Sequence, residues 1–183
     1  MSTKTAFAVV IVLFLSAPAS ANSGRVDATL VSDTALVMAQ LYVAEAGWRS
    51  PRDYAAIHHS ITEGARRRGV TVEKQARDYG SIFKTDSSRA TWVLGLNGEM
   101  TEPEGWPDDV SWERYGRPRW ARVLMESQIN EVFMPTNPCR GVPRHWGGRT
   151  LARDRARARR AIAAGRWIPL QCGPTINGYY ATR

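Results

Sequence analysis

The sequence predicts a small, mainly α-helical single domain with long irregular loops, room for one short β-hairpin, and one disulfide bridge. Three observations carry this: helical stretches bounded by capping residues and glycine stops, two long stretches rich in Gly, Pro and Trp, and a single pair of cysteines.

The chain opens with Lys4, an unbroken apolar run from Ala6 to Leu15, and the small-x-small pattern Ala19-Ser20-Ala21. That order of charge, apolar run and small residues is that of a cleavable export signal over 1–21, leaving 22–183 as the mature domain. The run is about ten residues, well short of the roughly 20 that cross a bilayer. A periplasmic or secreted, soluble domain is therefore expected, with no further membrane segment. Losing Lys4 with the signal lowers the formal charge of +8 by one. An exported cation meets the carboxylates and phosphates of the cell envelope, and its compartment argues against nucleic acid.

The first helix is expected from Asp33 to Ala46, capped by Ser32 or Asp33 and stopped by Gly47. Val37, Met38, Leu41, Tyr42 and Val43 leave no continuous polar stripe, so this helix is buried on most of its circumference. A second begins at Ser50 with Pro51 at its first position and Asp53 at its third, and ends at Gly69. Thr71 caps a third, shorter one toward Tyr79. From Lys84 to Asp109 glycines and prolines interrupt any period, which predicts a long loop with a short hairpin allowed at Thr91 to Leu96. Pro118 starts another helix through Trp120, Val123 and Leu124. A second irregular region follows Asn137-Pro138, and Thr150 to Ala164 is helical by composition, closed by Gly165.

Cys139 and Cys172, 33 positions apart, most simply form one disulfide in an exported chain. In the chain-entropy picture such a link contributes about 3–4 kcal/mol. Neither has a His or Cys at metal-ligand spacing, and the adjacent His58 and His59 face different directions on a helix, so no metal or cofactor is expected.

Glu45 is the candidate catalytic residue. It stands at the last turn of the first helix, four positions after Leu41 and seven after Met38, on one apolar column. Desolvation there disfavours the charged carboxylate, the property a general acid needs. The plainer alternative is a carboxylate facing water at a frayed end. His145, Trp146, Gly147 and Gly148 offer a ring to stack on a sugar and a backbone open to close approach, or else a loop packed on the disulfide. Arg153, Arg155, Arg157, Arg159 and Arg160 crowd one helix, either as a solvated face or as a surface for anionic envelope polymer.

The segment from Ala39 to Arg66, AQLYVAEAGWRSPRDYAAIHHSITEGAR, resembles the opening of the cell-wall hydrolase family typified by spore-cortex-lytic enzymes. Trp120 to Glu126, Pro143 to Gly148, and Asn177-Gly178-Tyr179-Tyr180 resemble later segments of that family, in the same order. Where the family has Gly-Glu-Ala-Arg-Gly-Glu, this chain has Ala44-Glu45-Ala46-Gly47-Trp48, without the arginine or the second glutamate.

The resemblance implies a lysozyme-like fold and cleavage of the MurNAc to GlcNAc bond of peptidoglycan glycan strands, by lytic transglycosylation with Glu45 as acid and then base. Trp48, His145, Trp146 and Tyr180 would then bind substrate, with Tyr179 in the core. Transglycosylation needs one protein carboxyl, whereas an inverting hydrolase needs a second about 6.5–9.5 Å away. Glu63 and Asp78 are the acidic residues that would serve, and both read as surface charges. Rival expectations are a wall-binding module without catalysis and an accessory protein of a secretion or lysis apparatus.

Overall fold

The computed structural model describes residues 31–148 and 152–182; the expected signal, 1–21, lies outside them. Six α-helices are described: α1 Asp33–Ala46, α2 Pro51–Arg68, α3 Val72–Tyr79, α4 Ser88–Gly95, α5 Arg117–Val132 and α6 Ala152–Ala163. Strands β1 His145–Gly148, β2 Trp167–Pro169 and β3 Asn177–Thr182 form an antiparallel sheet in the order β1-β3-β2. The fold is a small, mainly helical single domain with one disulfide. Among the described residues no helix is long and apolar enough to cross a membrane.

Helix α1 runs through the core, packed on α2, α3, α4 and α5. Val37, Met38, Leu41, Tyr42 and Val43 are all buried, which is why its sequence shows no polar stripe. The Ser32 hydroxyl accepts from Ala35 N at 3.0 Å, capping the first turn, and Gly47 ends the helix at φ 69°, a backbone state glycine adopts without steric cost. Gln40 is buried on α1 and donates from its amide nitrogen to the carbonyls of Leu94 and Leu96, fastening the end of α4 to the core. Two helices also approach closely at Gly64, where an added Cβ would lie 2.6 Å from Gln75 Nε2 of α3.

Two expectations are corrected. The stretch after Lys84 is not a continuous loop, because a 3-10 turn over Ser81–Lys84 is followed by α4. No hairpin forms at Thr91 to Leu96, since Thr91 to Gly95 are helical and Leu96 caps α4. The Ser87 hydroxyl accepts from Ala90 N, and Ala90, Val93 and Leu96 recur at a spacing of three on one buried face. The β-branched alternation of Thr91 and Val93 is overridden by that core contact. The sheet instead gathers the last third of the chain, where short glycine-rich segments carry little periodic signal.

Trp92, Trp106 and Trp112 fix the course of the segment from α4 to α5. Indole Nε1 of Trp112 donates to Met100 O at 3.1 Å, and that of Trp120 on α5 to Asn97 O at 2.7 Å. A π-turn over Trp112–Gly116 leads into α5, with Gly116 leaving room for the Trp112 ring. Cys139 and Cys172 are bonded, joining the segment before β1 to the turn between β2 and β3.

His58 on α2 is buried, with Nδ1 2.9 Å from the Tyr42 hydroxyl. Burial, and then the charge of neighbouring His59, push its pKa down from 6.5 to about 4. The unfolded chain therefore takes up this proton first, so the stability it contributes is complete above pH 6.5 and is lost as pH falls toward 4. Urea unfolding of the wild type against His58→Gln should show the wild type losing ~3 kcal/mol more than the variant between pH 7 and pH 4.

Candidate functional site

The site is assembled where α1 ends. Asp53, in the first turn of α2, is fully buried. Its carboxylate does not cap the helix; it accepts from the Ser50 hydroxyl, from Ile176 N at 2.8 Å, from Asn177 N at 3.1 Å and from the Tyr179 hydroxyl at 2.7 Å. Four donors satisfy a buried charge that would otherwise be costly. They also fix the start of β3 against α2. From there Asn177 donates its side-chain nitrogen to Glu45 O at 2.8 Å, so the strand grips the last turn of α1.

Glu45 is partly exposed and its carboxylate meets polar groups rather than an apolar column. Trp146 Nε1, from β1, donates to Oε2 at 3.1 Å, and the Ser81 hydroxyl donates to Oε1 at 3.3 Å. Arg89 of α4 donates to the carbonyl oxygens of Val43 and Ala44 at 3.3 and 2.9 Å, placing a cation at the negative end of α1. The local sequence around Glu45 supplies no such arginine; a different helix does.

A cavity of about 680 Å³ opens beside Glu45. One wall is aromatic. Tyr79 of α3 lies 4.9 Å from the Trp146 ring, and its hydroxyl meets His145 Nδ1 and donates to Arg144 O at 3.1 Å. Trp167 of β2 stacks on both His145, at 4.7 Å, and Tyr180, at 5.1 Å. Strand pairing sets this up, because His145 lies opposite Tyr180 and Trp167 opposite Thr182. Gly178 makes room for Tyr180, whose hydroxyl would be 2.5 Å from a Cβ there.

Cations of α6 join the lining, one of them beside that wall. Arg155 and Arg157 of α6 line the cavity, and the Arg157 guanidinium lies 5.7 Å from the Trp167 ring centre. Arg159 and Arg160 are exposed, and the side chain of Arg153 lies outside the described residues. Desolvation, followed by Arg157, Arg67 and Arg144, lowers the pKa of His145 below the ordinary value, keeping its ring neutral at physiological pH. Burial pushes the Tyr79 phenol up to about 12, so it remains a donor.

Of the residues singled out from sequence, Glu45, His145, Trp146 and Tyr180 meet at this cavity. Trp48 does not line it: its ring stacks on Trp92 at 5.8 Å and meets Trp106 edge-on at 6.2 Å, in a separate aromatic cluster. Tyr179 is buried, as its place in the core requires. Glu63 is a surface charge, paired with Arg66 at 2.8 Å. Asp78 borders the cavity, but its carboxylate pairs with Arg68 at 2.9 Å and Lys74 at 3.4 Å, which lowers its pKa. Sequence reasoning passed over Tyr79, Ser81, Trp167 and Asp154, which join the lining. Only Trp167 carried a sequence signal, an aromatic residue just after a glycine stop. Among the described residues no group of three or more His, Cys, Asp or Glu is arranged to hold a metal ion.

Comparison of the chain with family models, with curated proteins and with solved structures found no match.

Replacing Asp53 by Asn should test the anchor, because an amide presents two donors where four donors already converge. The loss expected is ~3 kcal/mol of unfolding free energy, read from urea denaturation.

Proposed function

We propose that this protein is an exported peptidoglycan glycosidase of lysozyme-like architecture, cleaving the MurNAc to GlcNAc bond by lytic transglycosylation. The observation that carries the reading is one carboxylate, Glu45, oriented by two hydrogen-bond donors at the edge of a cavity with an aromatic wall. Aromatic faces suit sugar rings, whose C–H faces stack while their hydroxyls stay hydrogen-bonded. The resemblance of Ala39 to Arg66 and of three later segments to a cell-wall hydrolase family points the same way.

An indole N–H is a donor only, so Glu45 Oε2, facing Trp146, stays an acceptor throughout. The proposed acid form carries its proton on Oε1, beside Ser81, whose hydroxyl accepts as readily as it donates. In the first step Oε1–H protonates the glycosidic oxygen while positive charge develops on the MurNAc ring, and the bond to the leaving GlcNAc breaks. In the second, the same Oε1 takes the proton of the MurNAc C6 hydroxyl as that oxygen closes on C1, giving the anhydro sugar and restoring the acid. No water is consumed and one carboxyl suffices. The ion-paired state of Asp78 suits it poorly as a base, which favours this route. Asp154 also borders the cavity and is the residue a hydrolytic route would enlist.

A basic wall-binding module is the alternative that Arg155 and Arg157 favour, since they line the same cavity. Digestion of purified sacculi by the disulfide-bonded mature protein, with products read by mass spectrometry, decides between them. Wild type should release anhydro-muropeptides, Glu45→Gln should be slower by ~10³-fold or more, and Asp154→Asn should give the same anhydro products. Reducing-end products that vanish in Asp154→Asn would replace transglycosylation with hydrolysis. Fragments from none of the proteins, on several wall types, would leave only the binding module.

A further inference from the structure

A second, smaller cavity of about 290 Å³ lies behind the aromatic wall, between the end of α2 and the sheet. Tyr79 and His145 line both cavities, so one ridge separates them. Behind that ridge stand three guanidinium groups, those of Arg67, Arg68 and Arg144, with Gln75 and Thr182 between them.

These groups differ in how far they are already neutralised. Arg68 donates to Asp78 at 2.9 Å and to Gln75 Oε1 at 2.7 Å. Arg67 sits 3.7 Å from Glu63, a carboxylate that Arg66 holds more closely at 2.8 Å. Arg144 donates one Nη to Thr182 at 2.9 Å and makes no ion pair with any described carboxylate. With Arg66 and Lys74, which engage the same two carboxylates, five cations thus stand around Glu63 and Asp78, and Arg144 pairs with neither. An excess of positive charge therefore remains around this concave place, and the planar forks of Arg67 and Arg144 suit a planar oxyanion.

We propose that the pocket of Arg67, Arg68 and Arg144 is a second binding site, which takes a carboxylate carried on a substituent of the glycan held in the adjoining cleft. The inference rests on the glycosidase reading and narrows it: the preferred substrate is a strand bearing acidic peptide substituents, not a bare glycan. The shared ridge gives a route, since a ligand stacked against the cleft side of Tyr79 and His145 has the cationic pocket immediately behind it.

His145 reports on occupancy, because Arg67 and Arg144 are among the charges that hold its proton affinity down, beside Arg157 and behind the larger effect of burial. A carboxylate bound between Arg67 and Arg144 offsets both. The test follows the three histidines by NMR in the intact, disulfide-bonded protein while acetyl-alanyl-alanine, its C-terminal amide or inorganic phosphate is added.

The acid should shift the His145 resonance saturably and raise its titration midpoint by ~0.3 pH unit or more, leaving His58 and His59 unmoved. The amide should bind at least tenfold more weakly. Arg67→Gln, a change on an exposed side chain, and Arg144→Gln should each weaken the acid at least fivefold. An unmoved His145, equal binding of acid and amide, or undiminished binding by Arg67→Gln would each overturn the proposal; a response to phosphate alone would overturn its carboxylate assignment. Because the readout is binding, its failure is distinct from a failure of sacculus digestion.

Discussion

The Asp53 carboxylate sits where α2 begins, and through its four donors it holds the strand that grips the end of α1. A buried carboxylate tolerates little displacement, because each bond lost leaves a charge less compensated in a low-dielectric setting. Ser50, Ile176, Asn177 and Tyr179 are therefore fixed together, and Asn177 passes that constraint to the backbone of Glu45. The residue proposed to do chemistry is held by a residue that touches no part of the cavity. The last strand is brought onto the helical core by this charge, and the disulfide ties the segment before β1 to the turn that precedes that strand.

With β3 in place, the rest of the cavity follows from strand pairing. Register sets His145 beside Tyr180 and brings Trp146 across Tyr179, from where its indole reaches Glu45. That indole donates to one oxygen of Glu45, and the Ser81 hydroxyl donates to the other. Aromatic rings from three strands and one helix then make a wall that is apolar on its faces and cationic at its margins. Such a surface suits a ligand with both sugar rings and acidic groups.

Legibility followed the range of the interactions. Helices α1, α2 and α3 were readable to within a residue, because their caps, Pro51 and the glycines at 47 and 69 act over a few positions. Glu45 was readable as the polar end of an apolar helix. Helix α4 was not, because Thr91 and Val93 look like a strand until Ala90, Val93 and Leu96 are seen to face the core. Trp48 was expected in the site from the family resemblance, yet Gly47 turns the chain and its ring joins Trp92 and Trp106. Asp53 read as an ordinary first-turn acid, since nothing nearby shows that three of its four donors lie more than a hundred residues away.

The sequence by itself determined the helical class, the boundaries of the early helices, the cysteine pairing available to a chain with only two, and a basic surface. Each depends on local periodicity, on capping chemistry or on simple counting. Only the tertiary structure decided that Trp146 and Ser81 orient Glu45, that Arg89 serves the end of α1, and that Tyr79 and His145 divide two cavities of different charge. Those arrangements come from strand register and from contacts between residues far apart in the chain. Short-range pattern carries no record of them.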